Sequence, residues 1–219
     1  MFDPKPAVLE GRRVRLEPLD LALHWEGLLA IGLEPELWRW TLAAIDSPVA
    51  LRDYLETALR ERDEGRAVPL ATRDLVSGRI AGCTRFGSIE RAHRRVEIGW
   101  TWVGREFRRS HVNTEAKYLM FRHAFEAWGA VRVELKTNVL NERSRNAMKR
   151  IGCVEEGVLR KHAVDPRGTW RDTVYYSVLD DEWPAVKARL EALMARGGGA
   201  GPDGADGASA AGAERGERA

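Results

Sequence analysis

The stretch 96–117 carries the side chains best suited to chemistry. It reads as a strand, then a basic loop containing Arg105, Arg108, Arg109 and His111, then the start of a long apolar helix. Free backbone N–H groups and the dipole at a helix N-terminus attract anions. A basic loop taken alone is more often a solvated turn, but its place directly before a helix makes a phosphate site an equally good interpretation.

A carboxylate, Glu97, lies on the strand upstream of that loop. The alternation of a strand predicts two faces, one with Glu97, Gly99, Thr101 and Val103, the other with Val96, Ile98, Trp100 and Trp102. A carboxylate with small neighbours and apolar cover can have a raised pKa and serve as a base. The competing interpretation is an ion pair with Arg94 or Arg95 on a half-exposed strand, and the pattern alone slightly favours that ion pair.

The periodicity of the rest of the chain predicts the elements that position these residues. Apolar alternation and turn residues predict strands at 14–16, 67–74, 79–87, 94–103, 131–135, 153–163 and 169–179. Helical spacing predicts helices at 20–29, 48–64, 114–128, 141–151 and from 180 onward. Ser47 is the expected N-cap of the helix at 48–64, and Gly152 is expected to end the helix at 141–151. The order β-α-α-β-β-β-α-β-α-β-β-α predicts an α+β fold with a mixed, largely antiparallel central sheet flanked by helices.

The composition bounds the size and the partners of the fold. With 219 residues and 44% hydrophobic content, the chain can build one domain, which we place at residues 8–196. Residues 197–219 contain no large apolar side chain and are predicted to be a disordered Gly/Ala-rich tail. A net charge of +2 for the whole chain gives no indication of a polyanionic partner. The basic residues also lack the interleaved aromatic side chains of a nucleic-acid binder.

Other patterns narrow the class further. Cys83 and Cys153 form no C-x-x-C pair, so we interpret them as buried free thiols in a reducing compartment, with a disulfide as the alternative. The histidines show no metal-binding spacing, so no metal is expected. No signal segment or membrane-length apolar run is present, and we expect a cytoplasmic protein without membrane contact.

Three segments together carry a resemblance to a known family. They are Glu97-Ile98-Gly99-Trp100 with its loop, 141–146 followed by Arg150-Ile151-Gly152-Cys153, and 156–160 with Arg171-Asp172 and 176–179. Over residues 10–185 the chain resembles the GCN5-related N-acetyltransferase (GNAT) family. Within that family it is similar to the branch of the ribosomal-protein N-terminal acetyltransferases. The resemblance implies the acyl-CoA N-acyltransferase fold, with acetyl-CoA as co-substrate.

The resemblance also implies which residues bind acetyl-CoA. The backbone of Thr101, Trp102 and Val103 would pair with the pantetheine arm like an added strand. Asn141 and Ser144 would lie near the thioester sulfur and the pantetheine. The pyrophosphate would lie on the loop and helix start formed by Arg108, Arg109, Ser110, His111, Val112, Asn113 and Thr114.

Two departures from the family pattern bear on this expectation. The loop has His111 and Asn113 where the family usually has glycines, which let the backbone approach phosphate closely. Asn tolerates left-handed geometry better than His, so we expect either weaker cofactor binding or a direct phosphate contact from His111. Met148 stands where many members carry the tyrosine that protonates the leaving thiolate, and Ser144 could take that role.

The mechanism that these residues predict is direct transfer. An amine of pKa about 8 to 10 is mostly protonated at neutral pH. Glu97, directly or through water, would remove its proton, and the amine would attack the acetyl carbonyl in a ternary complex. Backbone N–H groups of the strand at 96–103 would stabilise the oxyanion, and Ser144 or solvent would protonate the thiolate.

The acceptor is the least constrained part of this prediction. The branch suggests a protein N-terminal amine, and a small molecule such as an antibiotic or a polyamine is the alternative. The loop at 33–45, with Trp38 and Trp40, and the last hairpin near His162 and Trp170 are expected to wall the acceptor site. Tryptophans at such positions more often fasten a loop to the core.

A rival from a different class is a catalytically silent acyl-CoA-binding module. The missing glycines and Met148 favour it slightly, and Glu97 with its small neighbours argues against it. Homodimers are common in the family, but nothing in this sequence determines the oligomeric state.

Overall fold

One eight-stranded sheet organises the chain in the computed structural model, which describes residues 2–196. The tail predicted at 197–219 lies outside the described residues. The strands are β1 (Leu9–Glu10), β2 (Val14–Pro18), β3 (Val68–Asp74), β4 (Ile80–Glu90), β5 (Arg95–Val103), β6 (Arg132–Asn138), β7 (Val154–Val164) and β8 (Trp170–Leu179). The helices are α1 (Leu21–Gly32), α2 (Pro35–Trp38), α3 (Pro48–Asp63), α4 (His111–Arg122), α5 (Glu142–Ile151) and α6 (Trp183–Arg196).

The sheet is mixed and largely antiparallel. Its strand order is β1-β2-β3-β4-β5-β6-β8-β7, and every neighbouring pair is antiparallel except β5 and β6, which are parallel. Two apolar cores cover its faces, one shared with α4, α5 and α6 and the other with α1, α2 and α3. The predicted fold class is therefore confirmed. Phe2, which precedes the predicted domain boundary at residue 8, is buried in the first core.

Side-chain caps explain where the helices begin. Asp20, Ser47 and Asn141 each accept a hydrogen bond from a backbone N–H of the first turn of α1, α3 and α5. Such caps satisfy donors that have no intrahelical partner. Gly152 ends α5 at φ 101°, a left-handed conformation that glycine adopts without steric cost.

Two predicted helix bounds are wrong. We predicted a helix at 114–128, but α4 begins at His111 because Ser110 is its N-cap, with Oγ accepting from the Val112 N–H at 3.2 Å. After Arg122 the chain continues as a π-helical turn, His123–Ala127. The last helix begins at Trp183 rather than 180, since the Glu182 carboxylate caps the preceding turn by accepting from the Leu179 N–H at 2.9 Å.

A β-bulge in β5 makes the predicted strand faces wrong beyond Gly99. Trp100 has φ 50°, and the β4–β5 register shifts between Cys83 and Arg85. Val96 and Ile98 join the core beneath α4, whereas Trp102 joins the opposite core. The Trp100 ring lies over Gly87, the cross-strand partner of Glu97, so Trp100 shares the Glu97 face.

The buried carboxylate of Glu115 ties α4 to the first strands. Its Oε1 accepts hydrogen bonds from the backbone N–H groups of Arg12 and Arg13, at 2.5 and 2.9 Å. A Cβ at Gly11 would lie 2.3 Å from the same oxygen, so only glycine fits there without displacement. This contact fixes the position of the helix whose N-terminus faces the candidate site.

Replacing Glu115 should destabilise the fold. Glu115→Ala removes the carboxylate that accepts the two partly buried hydrogen bonds from the Arg12 and Arg13 backbone, and we expect it to lower the free energy of unfolding by about 1 to 3 kcal/mol. Urea denaturation followed by circular dichroism measures this change. Glu56→Ala, at a surface helix position whose carboxylate lies 3.9 Å from Arg52, should change it by less than about 0.5 kcal/mol. Equal effects of the two substitutions would contradict the assigned role.

Candidate active site

The site opens where the parallel strands β5 and β6 part. Their ladder contains three residue pairs and ends at Glu97 opposite Glu134, although β5 runs on to Val103 and β6 to Asn138. A cleft of about 1030 Å³ lies at this point, and residues of β5, β6, α3, α4, α5 and the loop after α2 line it. The β5 backbone beyond Glu97 has no paired strand on the β6 side, so its polar groups there are available to a bound molecule.

The Glu97 side chain lies in this cleft and is 4% exposed. Its Oε2 accepts hydrogen bonds from Ser88 Oγ at 3.0 Å and from Lys136 Nζ at 2.8 Å. Its Oε1 faces Gly99, where a Cβ would lie 2.8 Å away. The Glu97 carboxylate therefore fills the room that glycine leaves at position 99, with Oε2 held by two donors and Oε1 packed against the Gly99 backbone.

The alternative ion pair of Glu97 with Arg94 or Arg95 does not form. Arg94 donates to the Gly129 carbonyl at 2.8 Å, and Arg95 pairs with Glu134 at 3.1 Å. Lys136 of β6 is the actual partner, and the sequence analysis missed it. Burial would lower the pKa of the Lys136 ammonium, but the nearby Glu97 carboxylate outweighs this effect and raises it. Only the parallel pairing of β5 and β6 brings the two side chains together.

The loop before α4 places its left-handed residue at Arg109 and not at the positions where the family has glycine. Arg109 has φ 60°, whereas His111 and Asn113 lie in the first turn of α4. His111 and Asn113 therefore need no left-handed geometry, because helical φ suits both residues. The first turn of a helix offers N–H groups that lack intrahelical acceptors, which is the feature an anion site needs.

The His111 ring pairs with Asp74 and does not line the cleft. Its Nε2 lies 2.8 Å from Asp74 Oδ1, on the side away from the cleft, and its side chain does not line the cleft. The Val112 side chain is fully buried in the core. Neither of these two residues lines the cleft, whereas Ser110, Asn113 and Thr114 on either side of them do. Both partners of the His111–Asp74 contact are polar and distant in sequence, so no local signal could have revealed it.

The other predicted cofactor residues come together on one cleft. All of them line it: Thr101, Trp102, Val103, Arg108, Arg109, Ser110, Asn113, Thr114, Asn141 and Ser144. Two of the guanidinium nitrogens of Arg108 already donate hydrogen bonds within the protein, Nε to the Val103 carbonyl at 3.2 Å and Nη2 to Glu34 at 3.3 Å. Arg109 is exposed at the rim of the cleft.

Asn141 and Ser144 share the first turn of α5. Asn141 Oδ1 accepts from the Ser144 N–H at 3.2 Å, so this asparagine is also the helix cap. Ser144 is half-buried and lines the cleft, as does the buried Met148 one turn later. The chain thus presents a hydroxyl and a thioether on this wall, where many family members would present a phenol.

Lys117 is a buried ammonium that the sequence analysis did not single out. It lines the cleft, is 7% exposed and donates from Nζ to Thr101 Oγ1 at 3.0 Å. Burial lowers its pKa to about 8. The sequence offered one signal for Lys117 as a buried residue, namely a lysine on a helix that is otherwise apolar around most of its circumference. Its charge adds to the basic character of the cleft.

The acceptor walls differ from the prediction in part. Trp40 lines the cleft, and Trp38 does so while also packing on Trp102 at a ring distance of 5.5 Å. His162 and Trp170 do not line it; the β8 hairpin instead contributes Arg171. The alternation of β8 turns Trp170 outward, with 59% exposure, and Arg171 inward.

The charge of the cleft is strongly positive. Eight basic side chains line it, against the two carboxylates of Glu61 and Glu97. The basic residues are Arg85, Arg108, Arg109, Lys117, Lys136, Arg143, Arg150 and Arg171. Such a surface suits a ligand that carries several phosphates. Among residues 2–196 there is no cluster of three His, Cys, Asp or Glu side chains that could hold a metal ion.

Comparison with known proteins identifies the family. The description "Acetyltransferase (GNAT) domain" matches residues 13–154. A protein of Bacillus subtilis (strain 168) named "Putative ribosomal N-acetyltransferase YdaF" is 31% identical over 174 residues, which cover 78% of this chain and 92% of that protein. The chain therefore belongs to the GNAT family, and it is an acyltransferase of the N-acetyltransferase type.

Solved structures agree with this assignment. A GCN5-related N-acetyltransferase from Brucella melitensis is 32% identical, with a TM-score of 0.81 and coverage of 88% of this chain and 87% of that one. Mycobacterium smegmatis RimJ, solved in complex with CoA-disulfide, has the same fold, with a TM-score of 0.70 at 24% identity over 86% of this chain and 95% of that one. Within residues 2–196 no helix is long and apolar enough to cross a membrane.

Lys117 should give the protein a measurable pH dependence. Its folded pKa of about 8 lies below the value near 10.4 of a lysine in an unfolded chain. The unfolded state therefore binds more protons between these pH values, and the free energy of unfolding rises with pH across them. Lys117→Met should exceed the wild type in stability at pH 7 by up to about 3 kcal/mol, and the difference should shrink between pH 8 and 10.4.

Urea denaturation of both proteins at a series of pH values tests this prediction. Lys149→Met, at an exposed position of α5, serves as the matched control and should show a difference that stays constant from pH 7 to 9. A Lys117→Met difference that is equally constant would mean that Lys117 is not held in a desolvated site.

Proposed function

We propose that this enzyme transfers the acetyl group of acetyl-CoA to the primary amine of a protein N-terminus, by direct attack in a ternary complex. The observation that carries the proposal is the position of Glu97. Its carboxylate lies inside the cleft at the point where β5 and β6 part, with Oε2 held by Ser88 and Lys136 and Oε1 lying against Gly99. A base is needed there, because an amine of pKa about 8 to 10 is mostly protonated at neutral pH.

Groups that line the cleft support acetyl-CoA as the co-substrate. The β5 backbone at Thr101, Trp102 and Val103, which has no strand partner on the β6 side, can hold the pantetheine amides as an added strand would. The first turn of α4 and the guanidinium of Arg109 suit the pyrophosphate. When bound, acetyl-CoA supplies the acetyl group activated as a thioester.

Glu97 is well placed to remove the proton of the amine. Lys136 and Ser88 fix Oε2, which leaves Oε1 as the acceptor for an incoming N–H. A base positioned in this way contributes about 10²- to 10⁴-fold to the rate. Backbone N–H groups of β5 beyond the last β6 pair are the donors available to a developing oxyanion.

The cysteines support direct attack over an acyl-enzyme. Neither thiol lines the cleft. Burial raises the pKa of Cys83 to about 11 and that of Cys153 to about 12, so neither is a thiolate at neutral pH. Ser144, on the first turn of α5, is our candidate for the group that protonates the departing thiolate, with water as the alternative donor. Two reduced thiols also fit the cytoplasm, where we place the enzyme.

Removal of the Glu97 carboxylate should abolish most of the activity. Glu97→Gln keeps the shape of the side chain but cannot accept the proton, and we expect kcat to fall by about 10²-fold or more. Release of the CoA thiol in the presence of an amine measures the rate, and a partial recovery is expected at high pH, where the amine is already neutral.

Glu134→Gln is the matched control for that substitution. Glu134 is buried beside Glu97 on β6, but it pairs with Arg95 and Arg132 and does not line the cleft. This variant should lose stability while each folded molecule keeps its kcat. A Glu97→Gln enzyme with nearly full kcat at every pH would rule out the assignment of the base.

Acetyl-CoA binding can be tested separately from catalysis. Calorimetric titration should give micromolar affinity, and Arg109→Ala should weaken it about tenfold through the lost charge-assisted hydrogen bond. Arg79→Ala, at an exposed arginine paired with Glu106 outside the cleft, should leave it unchanged. Absence of binding would overturn the cofactor assignment. Binding without amine-dependent thiol release would favour the silent acyl-CoA-binding module.

A further inference from the structure

Arg85 is a buried guanidinium that the mechanism above does not use. It lies on β4, is 3% exposed and lines the cleft on the same sheet face as Glu97. Its Nη1 donates to Glu61 at 2.7 Å, and its Nε finds no hydrogen-bond partner within residues 2–196. A buried donor without an acceptor costs free energy, and this one lies in a pocket that a substrate must enter.

Two aromatic rings restrict how Arg85 can interact. The centre of its guanidinium lies 4.9 Å from the Trp100 ring and 5.3 Å from the Tyr54 ring. Trp100 is held there because its ring lies over Gly87, where a Cβ would be 2.4 Å from a ring carbon. Rings stacked on a guanidinium leave its edges for hydrogen bonds, and those edges match a carboxylate in geometry.

The charges around Glu97 leave a positive surplus. Arg85 pairs with Glu61 and Lys136 pairs with Glu97, whereas Arg171 has no ion pair within the described part of the chain. Arg171 is 9% exposed and donates to Thr173 and to the Trp40 carbonyl, both of them uncharged. An acceptor with a negative charge beside its amine would balance this surplus, and a cationic acceptor would add to it.

The spacing between Arg85 and Glu97 indicates where that negative charge must lie. Arg85 pairs with Gly99 and Gly87 pairs with Glu97, so Arg85 and Glu97 are diagonal neighbours on one face. Such neighbours are about 7 to 8 Å apart. An extended peptide advances about 3.3 to 3.6 Å per residue, so a side chain on the second residue spans this distance from the terminal amine.

We propose that Arg85, stacked between Trp100 and Tyr54, forms a subsite for a carboxylate on the second residue of the acceptor peptide. This inference rests on the proposed function and names the class of its substrate, a peptide N-terminus with an acidic residue at position 2. Glu97 then removes the proton from the amine while Arg85 binds the carboxylate of the second residue. Both groups of the peptide are therefore recognised on one face of the sheet.

A series of acceptor peptides tests the subsite. Three peptides, identical except for Glu, Gln or Lys at position 2, are compared by kcat/KM for the wild type, Arg85→Gln and Arg85→Lys. The wild type should prefer Glu over Gln by about tenfold or more, as a charged hydrogen bond allows, and should use Lys least. Arg85→Gln should bring the Glu-to-Gln ratio close to one.

The controls keep a loss of fold apart from a loss of recognition. Arg15→Gln, at a surface arginine paired with Glu10 far from the cleft, should retain the full ratio. Acetyl-CoA affinity and circular dichroism report whether each Arg85 variant is folded. If Arg85→Gln does not fold, Arg85→Lys decides, because it keeps the charge but loses the fork and should lower the ratio several-fold.

A ratio near one in the wild type, or an intact ratio in the folded Arg85 variants, would overturn the inference while the acetyltransferase function stands. If no peptide is acetylated, the peptide acceptor of the proposed function fails. Calorimetric binding of the Glu and Gln peptides in the presence of CoA then decides the subsite. Preferential binding of the Glu peptide that is lost in the folded Arg85 variants supports it, and equal or absent binding overturns it.

Discussion

The separation of β5 from β6 after a three-residue parallel ladder is the constraint on which the rest of the structure depends. Backbone N–H and C=O groups that lose their strand partner inside a protein must find another acceptor or donor. The sheet therefore contains a built-in gap where an extended molecule can complete the hydrogen bonding. The bulge at Trp100, the N-terminus of α4 and the first turn of α5 all meet at this gap and give it its chemical character.

Charge is distributed around the gap in a way that a stable apolar core would not require. Lys117, Arg85 and Arg171 are nearly buried, and only Arg85 has a carboxylate partner. Burial of an unpaired cation destabilises a fold, so these residues are better explained by what they bind than by what they stabilise. The carboxylate that we propose as the base, Glu97, lies among them, held by Lys136 at one oxygen. In the proposed function, binding of anions and removal of a proton therefore share one surface.

Much of this arrangement could be predicted because its signals are local. The cap at Ser47 and the stop at Gly152 act over a few residues, and the structure confirms both. The faces of β5 beyond Gly99 could not be predicted, because the bulge depends on register with β4. The same limit applies to His111, whose partner Asp74 lies 37 residues away, and to Lys136 beside Glu97.

By itself, the sequence determined the class of fold, the strand that carries Glu97 and the helix start that can hold an anion. These follow from periodicity, capping and residue type, which the chain expresses within single elements. Only the tertiary structure decided that Arg85 and Arg171 enter the cleft, that His111 does not line it and that Lys136 pairs with Glu97. The reason is physical: these contacts join strands and helices distant in sequence, and their geometry exists only once the sheet has formed its register.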